Sequence, residues 1–84
     1  MEHKVDVPLV LRAYQAVVEK GQRDGERYHW GGLTAESDFD GYTVTLSDGH
    51  VTVRVLFHSR VDVDAPSAGA LEDFLRVVDR TVSG

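Results

Sequence analysis

The sequence predicts a two-layer α+β domain, in which two helices cover one face of an antiparallel sheet of four or five strands. Apolar residues recur at helical spacing near both ends of the 84-residue chain. Between these ends, apolar and polar residues alternate in segments of strand length. Short links containing Gly31-Gly32 and Asp48-Gly49 join the segments, and such links suit hairpins in a meander rather than crossovers. The expected order is α-β-β-β-β-(β)-α, with residues 1–84 forming a single domain.

Both predicted helices have start signals as well as apolar stripes. The first is predicted from Val7 to Lys20, because the Asp6 carboxylate can cap its first turn and Gly21 suits a left-handed C-terminal position. The second is predicted from Ala68 to Thr81, with Ser67 as its cap. The side chains expected to face the sheet are Val7, Val10, Leu11, Tyr14, Val17 and Val18 in the first helix, and Leu71, Phe74, Leu75, Val78 and Val82 in the second.

The first predicted hairpin is "RYHWGGLTAES", residues 27–37. If Gly31-Gly32 forms a two-residue turn, Trp30 lies opposite Leu33 and both side chains point towards the helices. The preceding "QRDGE" is interpreted as a polar turn. The strand "RYHW" is therefore predicted to be a free edge of the sheet, and the place where dimerisation or strand addition would occur.

The second predicted hairpin is "YTVTLSDGHVTVRVLF", residues 42–57. If Asp48-Gly49 is its turn, Leu46 lies opposite Val51. A short fifth strand, "RVDVD", is expected at residues 60–64, with two outward aspartates that discourage pairing at that edge. The side chains predicted to be buried together are Trp30, Val44, Val53, Phe57, Leu71 and Phe74.

Composition argues against several classes of protein. The chain has no cysteine, so a disulfide, a thiol nucleophile and a cysteine-based zinc site are excluded. The formal net charge is −5, and an acidic surface repels the phosphates of nucleic acid. No segment approaches the roughly 20 apolar residues of a membrane helix, and the first residues lack the apolar run of a secretory signal. We therefore expect a cytoplasmic protein with no nucleic-acid or membrane partner.

The segment "ESDFDGYTV", which begins at Glu36, matches the first half of a calcium-binding loop. Glu36, Asp38, Asp40 and Gly41 fall at positions 1, 3, 5 and 6 of the EF-hand pattern. Position 12 is Ser47, where the pattern needs a bidentate glutamate, and a predicted strand follows the loop. We interpret Asp38, Asp40 and Gly41 as a structural turn, and we expect no cofactor.

The segment "SDFDGYTV", followed by a strand ending in "FH" and by a terminal helix, resembles a family of short uncharacterised bacterial proteins, a domain of unknown function. The resemblance covers nearly the whole chain, and "DFDGYTV" is its most specific part. It implies a stand-alone bacterial protein in the cytoplasm. It brings no known activity, cofactor or catalytic residue.

The remaining candidates for function lie on the sheet face that points away from the helices. A small interaction surface is predicted there, with Leu56 as an apolar centre and Arg54, His58, His29 and Arg60 as polar members. No catalytic motif stands in its structural context. We therefore predict a protein-interaction or self-associating accessory protein without catalysis, whose partner is another protein or a second copy.

An alternative hypothesis from a different class remains open. His29 and His58 fall on the same polar face, and with Asp62 or Asp64 they could hold a metal ion. This arrangement would make the chain a small ligand-binding or metal-dependent enzyme domain. No pair of histidines has the three- or four-residue spacing that places two ligands on one helix face.

Overall fold

The structure is a computed structural model that describes residues 5–38, 43–56 and 60–83. Within these ranges the chain forms two helices and six strands. They are α1 Val7–Lys20, β1 Gln22–Asp24, β2 Arg27–Trp30, β3 Leu33–Ser37, β4 Thr43–Ser47, β5 Thr52–Leu56, β6 Arg60–Asp64 and α2 Ala68–Ser83. The strands make one antiparallel sheet in chain order. The predicted α+β class is confirmed, and "RVDVD" forms β6. No helix among the described residues is long and apolar enough to cross a membrane.

Both helices begin directly after the residues that were predicted to cap them. Asp6 Oδ1 accepts the backbone N–H of Leu9 at 3.3 Å. Ser67 Oγ accepts the N–H of Ala70 at 3.1 Å. Each side-chain oxygen satisfies one of the N–H groups that a first helical turn leaves without a partner, so the start of each helix is encoded locally.

The end of α1 differs from the prediction. Gly21 has φ −83° and ψ 169°, which is extended rather than left-handed backbone. The chain passes directly from α1 into β1 at this residue. A Cβ on Gly21 would lie 2.7 Å from the carbonyl oxygen of His29 and even closer to that of Val17. The glycine is therefore needed because two backbone segments approach each other closely here.

The segment interpreted as a polar turn contains strand β1. Asp24 lies opposite Arg27 in the β1–β2 ladder, and Gly25 has φ 65° in the turn between them. The prediction that "RYHW" is a free edge is therefore wrong, because β1 pairs with that strand. All three residues of β1 are polar and exposed. The strand therefore lacks the alternation of apolar and polar residues by which strands are recognised in a sequence.

The two hairpins differ in how well their registers were predicted. Trp30 lies opposite Leu33, as expected for the Gly31-Gly32 turn, whose glycines have φ 57° and 86°. In the other hairpin, Leu46 lies opposite Val53 instead of Val51. That ladder is displaced by two residues. Because side chains alternate with period two, the displacement leaves the predicted inward and outward sets unchanged.

The core lies between the helices and the inward face of the sheet. Of the side chains predicted to be buried together, Val53, Leu71 and Phe74 are buried and Val44 is half-buried, whereas Phe57 lies outside the described residues. The buried apolar residues are Val10, Ala13 and Val17 of α1, Leu71, Phe74 and Val78 of α2, and Leu33, Ala35, Leu46, Val51, Val53 and Val55 of the sheet region.

Two apolar side chains expected in the core are exposed. Trp30 is 43% exposed, although its register is as predicted. It lies at the end of β2, where it shares a shallow hollow with Arg80 and Thr81 near the C-terminal end of α2. Leu11 is 38% exposed, and Ala13 is fully buried in α1 instead. The apolar stripe of α1 is thus centred on Ala13 rather than between Leu11 and Tyr14.

Candidate functional site

The helices cover one face of the sheet and leave the other uncovered. A groove of about 590 Å³ lies along the uncovered side of β3, β4 and β5. We call its lining from these strands the open face. Its members are five hydroxyl side chains, one carboxylate, one guanidinium and one leucine: Thr34, Thr43, Thr45, Ser47, Thr52, Glu36, Arg54 and Leu56.

The hydroxyl groups occupy the open face because of strand alternation. Along β4, Val44 and Leu46 point to the core, so the side chains on either side of them point outward. In β5, Val53 and Val55 are buried and place Arg54 on the outer side. The polar composition of the groove therefore follows from the same pattern that builds the core.

Of the two charged side chains of the open face, Glu36 has an ion-pair partner among the described residues and Arg54 does not. Arg27 Nε lies 3.5 Å from Glu36 Oε1, so this carboxylate has a partner at the edge of the groove. Arg54 lies directly opposite Asp62 in the β5–β6 ladder. The Asp62 carboxylate, however, lies 3.9 Å from Arg60 Nε. In the part of the chain that the structure describes, no carboxylate lies within 4.0 Å of the Arg54 guanidinium.

The structure brings three of the five predicted interaction residues together. Arg54 and Leu56 are two residues apart on the outer side of β5, and Arg60 lies directly opposite Leu56. His29 is on β2, three strand spacings from β5, or about 14 Å away across the sheet. There its Nδ1 lies 3.1 Å from Thr34 Oγ1. His58 lies outside the described residues.

The alternative hypothesis needs His29 close to Asp62 or Asp64, and the structure places them far apart. His29 Nε2 lies 3.7 Å from Asp24 Oδ2. Asp62 and Asp64 are on β6, four strand spacings from β2, or about 19 Å across the sheet. Among the described ranges there is no group of three or more histidine, aspartate or glutamate side chains that could hold a metal ion.

The acidic segment before β4 is partly described. The backbone N–H of Asp38 donates to the carbonyl oxygen of Thr43 at 2.8 Å, which continues the β3–β4 ladder beyond the end of β3. Asp40 and Gly41 lie outside the described residues. The Asp38 side chain is exposed and lines the groove as a second carboxylate beside that of Glu36.

Sequence reasoning did not foresee that the outward side chains would line a groove. Arg27 and Glu36 both line this groove, and Glu36 was considered only as the first position of a calcium-loop pattern. Their alternation with Tyr28 and Ala35 was the available signal, since it indicates the face. Alternation carries no information on the curvature of the sheet, which depends on how six strands twist together.

The fold and this surface define a small two-layer α+β domain with an uncovered, hydroxyl-rich sheet face. The chain belongs to the family described as protein of unknown function (DUF3081), whose family model matches residues 5–83. The resemblance to an uncharacterised domain family is thereby confirmed. Comparisons with curated proteins and with solved structures gave no match.

Proposed function

We propose that this protein is a small bacterial, cytoplasmic protein-interaction domain without catalysis, and that its open face binds a carboxylate on a partner protein. The observation that carries the proposal is the position of Arg54. Its guanidinium lines a groove of hydroxyl groups and has no carboxylate partner among the described residues.

The chemistry of Arg54 favours a carboxylate over other groups. A guanidinium presents several N–H donors in a planar fork that matches the two oxygens of a carboxylate. The surrounding threonine and serine hydroxyls both donate and accept hydrogen bonds, so they can satisfy neighbouring polar groups of a partner. Leu56, which is half-buried on the same strand, adds apolar contact area beside the charge.

The distribution of charge favours binding of an acidic partner at the open face over the rest of the surface. The chain as a whole has a net charge of −5, so an acidic partner is repelled by most of the surface. Glu36 is held by Arg27 at the side of the groove, which reduces its repulsion of an incoming carboxylate. Binding of a carboxylate would therefore depend on Arg54 more than on any diffuse attraction.

Affinity capture from the native host tests the proposal with a matched pair of variants. Arg54→Glu reverses the charge in the groove, whereas Arg76→Glu reverses a charge on the exposed surface of α2, where Arg76 contacts Asp73 at 2.9 Å. We expect the wild type and Arg76→Glu to recover the same partner, and Arg54→Glu to lose it. Recovery of an identical set by all three proteins would contradict the proposal.

Two further measurements identify what occupies the groove. Arg54→Lys keeps the charge but not the planar fork, so we expect the recovered partner to bind it more weakly than the wild type. Sedimentation of the purified chain over a range of concentrations tests for self-association. If the wild type dimerises and Arg54→Glu does not, the occupant of the open face is a second copy rather than another protein.

A further inference from the structure

Strand β6 is the more extensive of the two sheet edges. The sheet order places β1 and β6 at its ends, and among the described residues β6 pairs only with β5. β1 has three residues and β6 has five. An edge strand leaves backbone N–H and C=O groups available to another chain, so the orientation of those groups decides what each edge offers.

Two backbone hydrogen bonds determine which groups point outward. Asp48 N–H donates to the Val51 carbonyl oxygen at 3.2 Å, and Asp38 N–H donates to that of Thr43 at 2.8 Å. In an antiparallel ladder, the residues of a hydrogen-bonded pair direct both backbone groups at each other, and the next residue directs its groups to the opposite side. Both bonds indicate the same alternation of backbone directions along β4. In β5, the groups of Arg54 then point away from β4 and towards β6.

The same alternation can be followed onto the edge itself. Arg54 lies opposite Asp62, so Asp62 directs its backbone groups back towards β5. The N–H and C=O groups of Val61 and Val63 therefore point away from the sheet. At the opposite edge of the sheet, the same alternation directs the backbone groups of only one β1 residue, Arg23, away from β2. β6 thus offers two residues for pairing, and β1 offers one.

The side chains of β6 indicate which strand would fit beside it. Val63 is 38% exposed on the helix side of the sheet, and Val61 is half-buried. Asp62 and Asp64 are exposed on the opposite side, where Asp62 lies 3.9 Å from Arg60 Nε and Asp64 is in no ion pair with the described residues. A neighbouring strand with apolar side chains on the helix side would cover Val63, and basic side chains on its other side would lie beside the two aspartates.

We propose that β6 binds an extended segment of another protein, in which apolar and basic residues alternate, by strand addition. Apolar residues of the segment lie opposite Val61 and Val63, and a basic residue lies opposite Asp62. Pairing of β6 with itself is disfavoured when Val61 lies opposite Val63 of a second copy, because the two Asp62 carboxylates then face each other. The aspartates therefore favour a basic strand over an acidic one, and they share a hollow on this side of the sheet with Arg54.

A pair of synthetic peptides tests the proposal on the intact chain. One is a seven-residue peptide in which valine and lysine alternate, and in the other glutamate replaces every lysine. We expect the lysine peptide to slow hydrogen exchange at the Val61 and Val63 amides by roughly tenfold or more. The glutamate peptide should leave both amides unchanged. Equal effects of the two peptides, or no effect of either, would overturn the proposal.

Variants of Val63 separate strand addition from simple attraction between charges. Val63→Pro removes an outward N–H and leaves the groups that bond to β5 in place, since proline is tolerated on an edge strand. Val63→Thr keeps the N–H. We expect the proline variant to lose the lysine peptide and the threonine variant to retain it. Undiminished binding by the proline variant would show that only charge is recognised.

Reversing the charge of the two aspartates is a second test of the proposal, and it does not depend on the folding of the proline variant. With Asp62→Lys and Asp64→Lys combined, we expect the preference to invert in favour of the glutamate peptide. An unchanged preference would overturn the proposal that the aspartates favour a basic strand. Protection of the Val61 and Val63 amides that rises with protein concentration in the absence of peptide would also overturn it, by making a second copy the occupant.

Discussion

Asp48 Oδ1 accepts the backbone N–H of Val51 at 2.8 Å, and this bond sets the register of the β4–β5 hairpin. The same oxygen accepts the N–H of His50 at 2.9 Å. The carboxylate thereby holds the chain across Gly49 and His50, so these two residues form the tip of the turn. A tip at Asp48-Gly49 would have placed Leu46 opposite Val51 rather than Val53.

Replacement of Asp48 should therefore destabilise the domain. Asp48→Ala removes the acceptor of two backbone N–H groups, one of them partly buried, and we expect the free energy of unfolding to fall by about 1–3 kcal/mol. Asp48→Asn keeps a side-chain oxygen and should cost less. Urea denaturation of both variants measures the difference, and equal losses would mean that the hydrogen bonds from Oδ1 are not what stabilises the turn.

Truncation of Phe74 tests the arrangement of the two layers. Phe74 is fully buried on α2, and Phe74→Ala should cost about 3–5 kcal/mol, which is enough to unfold a domain of this size. Leu11→Ala is the control, because Leu11 is on the exposed side of α1 and its loss should change stability little. A nearly unchanged melting temperature for Phe74→Ala would refute the packing of α2 on the sheet.

The glycine at the end of α1 should tolerate no side chain. Gly21→Ala would bring a Cβ within 2.7 Å of the His29 carbonyl oxygen, so the α1–β2 contact must open. We expect a loss of about 1–3 kcal/mol in the free energy of unfolding. Gly69→Ala is the matched control, since its Cβ would meet only Ser67 Oγ at 3.9 Å within the start of α2. Thermal unfolding that ranks the two variants in the opposite order would contradict the close approach at Gly21.

The acidic segment should bind calcium only weakly. Glu36 already contacts Arg27, and Ser47 cannot replace the bidentate glutamate that closes an EF-hand loop. Isothermal titration should therefore detect no micromolar affinity for Ca²⁺. Micromolar binding that disappears in Asp40→Asn would disprove the structural interpretation of Asp38, Asp40 and Gly41, whereas weak millimolar attraction to an acidic surface would not.

Much of the candidate surface was predictable, because the face of a strand residue depends only on alternation. Arg54 and Leu56 were placed on the outer face from the buried valines between and beside them, and the structure keeps them there. Arg60 joins them because β6 pairs with β5. The separation of His29 from this group follows from the meander order that the short links predicted, since three strand spacings separate β2 from β5.

The sequence by itself determined the features that require only neighbouring residues. Asp6 and Ser67 cap the helices through their own first turns. Gly31-Gly32 forms the predicted turn because both positions have positive φ, which glycine adopts without steric cost. The apolar periods of the helices and strands assigned nearly all core residues to the correct face, since side-chain direction repeats with the local geometry of the backbone.

Only the tertiary structure decided how deeply each residue is buried and which strands lie at the edges. Trp30 points to the predicted side but lies at the end of β2, in a hollow beside Arg80 and Thr81 of α2, and stays exposed. β1 contains no apolar residue and exists because β2 supplies its hydrogen-bonding partner. Gly21 is needed because β2 passes close to the end of α1. Burial and edge position depend on contacts between segments distant in the chain, and no local pattern encodes such contacts.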